Sequence, residues 1–223
     1  MSSSNTVKIK KRGPGPRLGS PRIMKRGGNT PVATVAAMGV ALWIFIGVAT
    51  ALFTLFLAAY VMRMDGSDWS PIVMPWQLWI STALLVATSL MLHGASLAAR
   101  AVAARKFFIA GGIFGLGFLG CQLWGWQILQ ANHVSAMGNP AGSFFYLLTA
   151  MHGVHVMGGL VGWLRTARFA RTGAGLDSAM FELRWRVRLC ARYWDFLLFV
   201  WIVLFAALGW LTPELVRLIC GTR

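Results

Sequence analysis

The sequence predicts an all-α integral membrane protein, a bundle of five transmembrane helices with a cytoplasmic N-terminus and a periplasmic C-terminus. Three observations predict it. Hydrophobic residues make up 57% of the 223 residues and charged residues only 12%, about half the charged share of a soluble domain. The hydrophobic residues gather into five continuous runs, each near the roughly 20 residues that cross a 30 Å hydrocarbon layer. None of the runs alternates as a membrane strand does. Finally, Lys and Arg fall in the gaps between runs, and they fall unevenly.

Residues 1–30, MSSSNTVKIKKRGPGPRLGSPRIMKRGGNT, carry eight Lys/Arg and no acid. Pro and Gly break any helix there, so the stretch reads as a disordered basic arm. Because a span follows it directly, its charge suits anionic lipid headgroups at a cytoplasmic face, and no nucleic-acid partner is expected. Residues 31–223 then form the five-helix domain. Its first apolar run, from about Pro31 to Met62, is too long for the core of a signal peptide, which is about 7–15 residues. It exceeds one bilayer crossing and must tilt or project. The second run, PWQLWISTALLVATSLMLHGASLAA, covers about 75–99. The third, FFIAGGIFGLGFLGCQLWGWQIL, covers about 107–129. The fourth, GSFFYLLTAMHGVHVMGGLVGWL, covers about 142–164, and the fifth, YWDFLLFVWIVLFAALGWL, about 193–211.

The gaps orient these spans. The arm holds eight basic residues, the gap after the second span three (Arg100, Arg105, Lys106) and the gap after the fourth seven. The gap after the first span holds one, the gap after the third none, and the tail two. Basic residues stay on the cytoplasmic side, which sets both termini and accounts for most of the +15 net charge without an acidic partner. Trp69, Trp76, Trp79, Trp124, Trp126 and Trp210 then fall at outer span ends, and Trp163 and Trp194 at inner ends, as in aromatic belts at both faces. Cys121, Cys190 and Cys220 lie far apart with no metal spacing, so no disulfide framework is expected.

The middles of the spans contain no Arg, Lys or Glu. An ion or proton transporter keeps an ionisable group there, and a substrate carrier shows broken helices and internal repeats. Neither pattern is present. Gly111, Gly112, Gly115, Gly117 and Gly120 in the third span, and the GxxxG pair Gly158 and Gly162 in the fourth, predict closely packed helix interfaces. His152 and His155 lie about 60° apart on one helix face. In hydrocarbon each imidazole needs a donor and an acceptor, and hydrogen bonds to neighbouring helices are the expected solution. A heme would need a second imidazole on a facing helix at matching depth. His93 near the inner end of the second span and His133 in an outer loop do not match, and a metal would lack third and fourth ligands. A membrane b-type cytochrome ligated by His152 and His155 is nevertheless an open alternative. Asp195, one turn inside the fifth span, is expected to form an ion pair with Arg192 at i−3 or to collect protons at the cytoplasmic face.

Taken in order, the spans resemble heme-copper oxidase subunit III. The fourth carries an HGxHV signature at His152–Val156. The fifth, YWDFLLFVW, is similar to that family's YWHFVDVVW, with Tyr193, Trp194, Phe196, Val200 and Trp201 matching. In the third, FLGCQLWGW resembles FLxxQxxEW at Phe118, Leu119, Gln122 and Trp126. The second resembles an N-T-x-x-L-x-x-S-S span at Thr82 and Ser89, and the first ends in a similar pattern at Ala59 and Tyr60. The resemblance covers about residues 40–212, and five spans fit the shorter bacterial form. There are departures. Ala49 and Gly125 stand where the family carries buried acids, Asp195 replaces its histidine, and Leu198 replaces its aspartate.

The resemblance implies a non-redox subunit III of a proton-pumping respiratory terminal oxidase in the bacterial inner membrane, without catalytic residues of its own. Hemes and copper would reside in subunits I and II, with none in this chain. The chain would pack on subunit I, hold phospholipid and support proton uptake from the cytoplasm. Gln122, Tyr193, Trp194 and Trp201 join His152, His155, Gly158 and Gly162 as expected helix-packing or hydrogen-bonding residues. Arg165 and Arg168 are candidates for lipid headgroups, an ordinary role in topology being equally open. A subunit III-like component of a nitric oxide reductase is the second alternative.

Overall fold

A computed structural model describes residues 31–64, 66, 68–70, 72, 74–134, 138–172 and 177–212. The arm at 1–30 and the tail from 213 lie outside the described residues. The regular elements among them are all helices, with no strand: α1 (Pro31–Arg63), α2 (Gln77–Leu97), α3 (Ala101–Ala131), α4 (Pro140–Thr172) and α5 (Asp177–Trp210). All five are long and apolar enough to cross a membrane, so this is a multi-pass membrane protein. The end of the bundle at which α1 begins is called the arm end.

The helices differ in reach. At 1.5 Å per residue, the 21 residues of α2 extend about 31 Å, close to the hydrocarbon thickness itself. The 33 residues of α4 and 34 of α5 extend about 50 Å. The sequence places the end of the fourth span near 164 and the start of the fifth near 193. The structure instead continues both as helix through most of the arginine-rich stretch between them. Ala, Leu, Met, Glu and Arg favour helix there. Arg186 donates from Nε and Nη2 to Glu182 Oε1 at 3.0 and 2.7 Å, one turn away, and its guanidinium lies 4.6 Å over the Phe169 ring of α4. The two extensions are thereby held side by side.

α2, α3, α4 and α5 close a four-helix ring, and α1 lies outside it against α5 and α4. The ring is filled by Leu78, Leu85, Leu92, Phe118, Trp194, Leu197 and Trp201. A second cluster of Phe53, Tyr60, Leu148, Val200 and Leu204 fastens α1 to it. Hydrophobic association is weak in lipid, so dispersion contacts and close approach must hold the helices together. The glycines of α3 supply that approach. A Cβ at Gly111 would meet Leu92 at 2.9 Å, one at Gly112 would run into the Trp163 indole, and one at Gly115 would meet Trp194 at 2.5 Å.

These contacts correct the reading of two tryptophans. Trp163 and Trp194 do not belong to a belt at the membrane face. They are wedges driven into glycine notches of α3, and Trp194 is fully buried. Trp76, Trp79, Trp124 and Trp210 at the other end are exposed, as belt residues should be. The loops at that end are tied by Asn139. Its Nδ2 donates to the Ser70 carbonyl at 2.6 Å and to Ser70 Oγ at 2.8 Å, while its Oδ1 accepts from the Ala141 N–H and caps α4. His133 takes a left-handed φ of 60° just beyond the end of α3. The hydrogen bond from Arg63 holds the Asp68 carboxyl below the usual carboxylate range.

Candidate functional site

Three polar features interrupt the apolar interior. The first surrounds the two histidines. His152 is fully buried, its ring 5.2 Å from Trp201, 5.6 Å from Phe118 and 6.2 Å from Phe53. Neither ring nitrogen has a hydrogen-bond partner among the described residues. His155 places Nδ1 2.8 Å from the Met151 carbonyl of its own helix, where only a protonated nitrogen can bond, and packs against Phe45 and Phe53 of α1. The expected imidazole hydrogen bonds to other helices therefore do not form. The positions facing His152 are aromatic, so it is held by ring packing, and a carbonyl one turn away accepts from Nδ1 of His155.

Other side chains make the links between helices. Tyr193 Oη on α5 donates to the His155 carbonyl on α4 at 2.9 Å. Gln122 Nε2 on α3 donates to Ser81 Oγ on α2 at 3.1 Å. Trp201 Nε1 on α5 donates to Thr82 Oγ1 on α2 at 2.9 Å. Trp163 Nε1 on α4 donates to the Phe108 carbonyl on α3 at 2.8 Å. Sequence reasoning singles out Gln122, Tyr193 and Trp201 but misses Ser81, whose hydroxyl gives no periodic signal. The two imidazoles share one helix, and His93, on α2, lies beside Asp195. Among the described residues, no group of three His, Cys, Asp or Glu is placed to hold a metal ion.

The second feature is the carboxylate of Asp195, near the middle of the lengthened α5. Its partners are on α2: Ser89 Oγ donates to Oδ1, and His93 Nδ1 lies 3.5 Å from Oδ2. The expected pair with Arg192 is not formed. Helical side chains lean toward the N-terminus of their helix, which aims Arg192 away from a residue one turn beyond it, and an acid C-terminal to a base is the weaker order for such a pair. The sequence offers His93 only as a misplaced heme ligand, because nothing in it brings α2 against Asp195.

The third is a groove of about 410 Å³ between α1, α4 and α5 at the arm end, lined by Leu42, Phe45, Gly158, Gly162, Arg165 and Arg186 among others. It corrects the expectation for the GxxxG pair. Gly158 and Gly162 are exposed, and a Cβ at Gly162 would meet nothing within 4 Å. Small residues permit close approach without compelling it. Here α1 rests on α5, through Gly39 against Trp185 and Phe45 against Tyr193, and stands off from α4 beyond His155. Arg165 lines the groove; Arg168 does not, and Arg186 from α5 takes part instead.

Fold and site together define a multi-pass helical membrane protein whose polar interior residues join helices to one another. No protein-family model matches the chain. Curated relatives do. The chain is 26% identical over 195 residues to a probable cytochrome c oxidase subunit 3 of Mycobacterium tuberculosis, covering 83% of this chain and 89% of that one. It is 27% identical to cytochrome c oxidase subunit 3 of Bacillus subtilis, covering 73% and 81%, and 28% identical to that of Bacillus sp. (strain PS3), covering 73% and 80%. Each of these relatives is named as subunit 3 of a cytochrome c oxidase, and the similarity runs through most of both chains.

Proposed function

We propose that the chain is the non-redox subunit III of a proton-pumping terminal oxidase that reduces O₂ to water, seated in a bacterial inner membrane with its arm in the cytoplasm. The observation that carries this reading is similarity to oxidase subunit 3 proteins across most of both chains. It is supported by an interior whose polar side chains serve packing. Heme and copper belong to subunits I and II. In this reading the chain packs on subunit I and holds phospholipid. The groove would suit a phospholipid, with an acyl chain beside the bare backbone at Gly158 and Gly162 and the phosphate toward Arg165 and Arg186, which are among its lining residues. Asp195, with His93 and Ser89 beside it, is a carboxylate toward the arm end of the bundle, and in this reading it supports proton collection on that side.

Affinity purification through this chain from native membranes in mild detergent tests the reading. It should bring down a large subunit carrying heme and copper, and the complex should consume O₂. The chain expressed alone should show no Soret band. Retention of heme by the lone chain would sink the proposal, as would a complex that reduces NO and leaves O₂ untouched.

A further inference from the structure

α1 is the helix least enclosed by the rest. Of its most apolar stretch 11% is buried, against 33–44% in the other four helices. Its two halves are held differently. The outer half, from Phe53 to Tyr60, is buried in the cluster with Leu148, Val200 and Leu204, and Trp69 and Phe144 brace the Tyr60 ring edge-on. The arm half, from Met38 to Phe45, has less to hold it. Phe45 meets the rings of His155 and Tyr193. Nearer the arm, Gly39 lies against Trp185 with no side chain of its own to interlock, and a Cβ there would still stand 3.7 Å from the indole. A segment with so few buried contacts moves at little cost.

The two halves meet at a weak turn. Gly47 is a poor helix former, and an added Cβ there would meet nothing within 4 Å. In the same turn the Thr50 hydroxyl donates to the Ile46 carbonyl at 2.8 Å, a bond back along the helix that favours bending. On the arm side of this turn Met38, Leu42 and Phe45 line the groove, and Gly158 and Gly162 line it from α4. Phe45 is level with His155, so in these antiparallel helices Leu42 comes level with Gly158 and Met38 with Gly162. Thr50 and Met38 are about 18 Å apart along the axis, and a bend of about 20° carries the Met38 end about 6 Å. We infer that the arm half of α1 is a hinged strap, which bends at Gly47–Thr50 and closes onto Gly158 and Gly162 when the groove is empty, and that a bound acyl chain holds it open. The gain on closing is close contact with glycine backbone, since lipid offers no escape from water. Occupancy of the groove then sets the position of the start of α1, to which the basic arm is joined. In naming a phospholipid as the occupant, the inference rests on the reading above.

The test uses the complex purified through a tag on this chain, carrying Cys121→Ala, Cys190→Ala, Cys220→Ala, Met38→Cys and Gly162→Cys. A disulfide needs its Cβ atoms about 3.5–4.5 Å apart, and a Cβ at Gly162 lies clear of every side chain by 4 Å in the open groove, so the bond reports closure. Oxidised with copper phenanthroline after delipidation in detergent, the pair should form a disulfide within this chain, identified by mass spectrometry of its peptides. Phosphatidylglycerol added back should slow the reaction about tenfold by displacing the closed population. Gly47→Ala with Thr50→Val, both on the exposed side of α1, stiffens the turn and should slow the delipidated reaction about fivefold. No disulfide after delipidation, or a rate that the stiffened turn leaves unchanged, would overturn the strap. A reaction slowed by the stiffened turn and not by phosphatidylglycerol would uphold the strap and remove phospholipid from the groove.

Discussion

At the scale of single residues, His152 separates two ways of using a polar side chain in a membrane. A side chain hydrogen-bonded across helices contributes about a kcal/mol, and removing one partner leaves the other exposed to hydrocarbon. An imidazole enclosed by three rings with both nitrogens unpaired works through its shape, and its polarity costs stability. His152→Leu should therefore keep the purified complex within about 1 kcal/mol of wild type, or raise its stability. His152→Ala should lose about 2–4 kcal/mol to the cavity left among Phe53, Phe118 and Trp201. Thermal unfolding in one detergent, monitored by near-UV circular dichroism, measures both; a loss in Leu as large as that in Ala, although Leu fills the space, would show that the nitrogens matter. The presence of a buried imidazole was legible in the sequence, since an HGxHV run inside an apolar span can point nowhere else. What surrounds it was not, because Phe53, Phe118 and Trp201 come from three other helices whose rotations no single span encodes.

At the scale of elements, the glycines of α3 look equivalent in the sequence and are not equivalent in the fold. Gly112 and Gly115 receive indole rings, while Gly120 faces outward with nothing within 4 Å of an added Cβ. Gly115→Ala should destabilise the chain by about 1–3 kcal/mol through overpacking against Trp194, and Gly120→Ala should be neutral. The yield of monodisperse protein after heating in detergent reads the difference, and equal behaviour of the two variants would refute the notch-and-wedge account of α3. The existence, order and type of all five helices were legible, since long apolar runs with basic gaps allow little else. The ends of α4 and α5 were not: hydropathy marks where the hydrocarbon ends, and a helix stabilised by its own side-chain pairs has no reason to stop there.

At the scale of the whole molecule, the fold is a four-helix ring with a fifth helix laid against it, and two of its outer features face different media. The groove beside α1 opens bare glycine backbone beneath a pair of arginines, and the α2–α5 face opens a carboxylate. Which end lies in the cytoplasm rests on the distribution of basic residues. A periplasmic alkaline phosphatase fused to the C-terminus should be active and a green fluorescent protein at the same place dark, whereas the reverse pattern would invert the topology and move Asp195 to the wrong side for cytoplasmic proton uptake. The groove could not be seen in the sequence, because a GxxxG pair has the same spelling whether it meets a helix or open space.

The paired extensions of α4 and α5 carry a mechanical consequence. Neither helix contains an internal proline, α4 beginning on its only one, and Phe169, Arg186 and Glu182 clamp the two together outside the apolar core. Both helices run without a break in their helical assignment from these extensions to the level of the Tyr193 hydroxyl and the rings about His155.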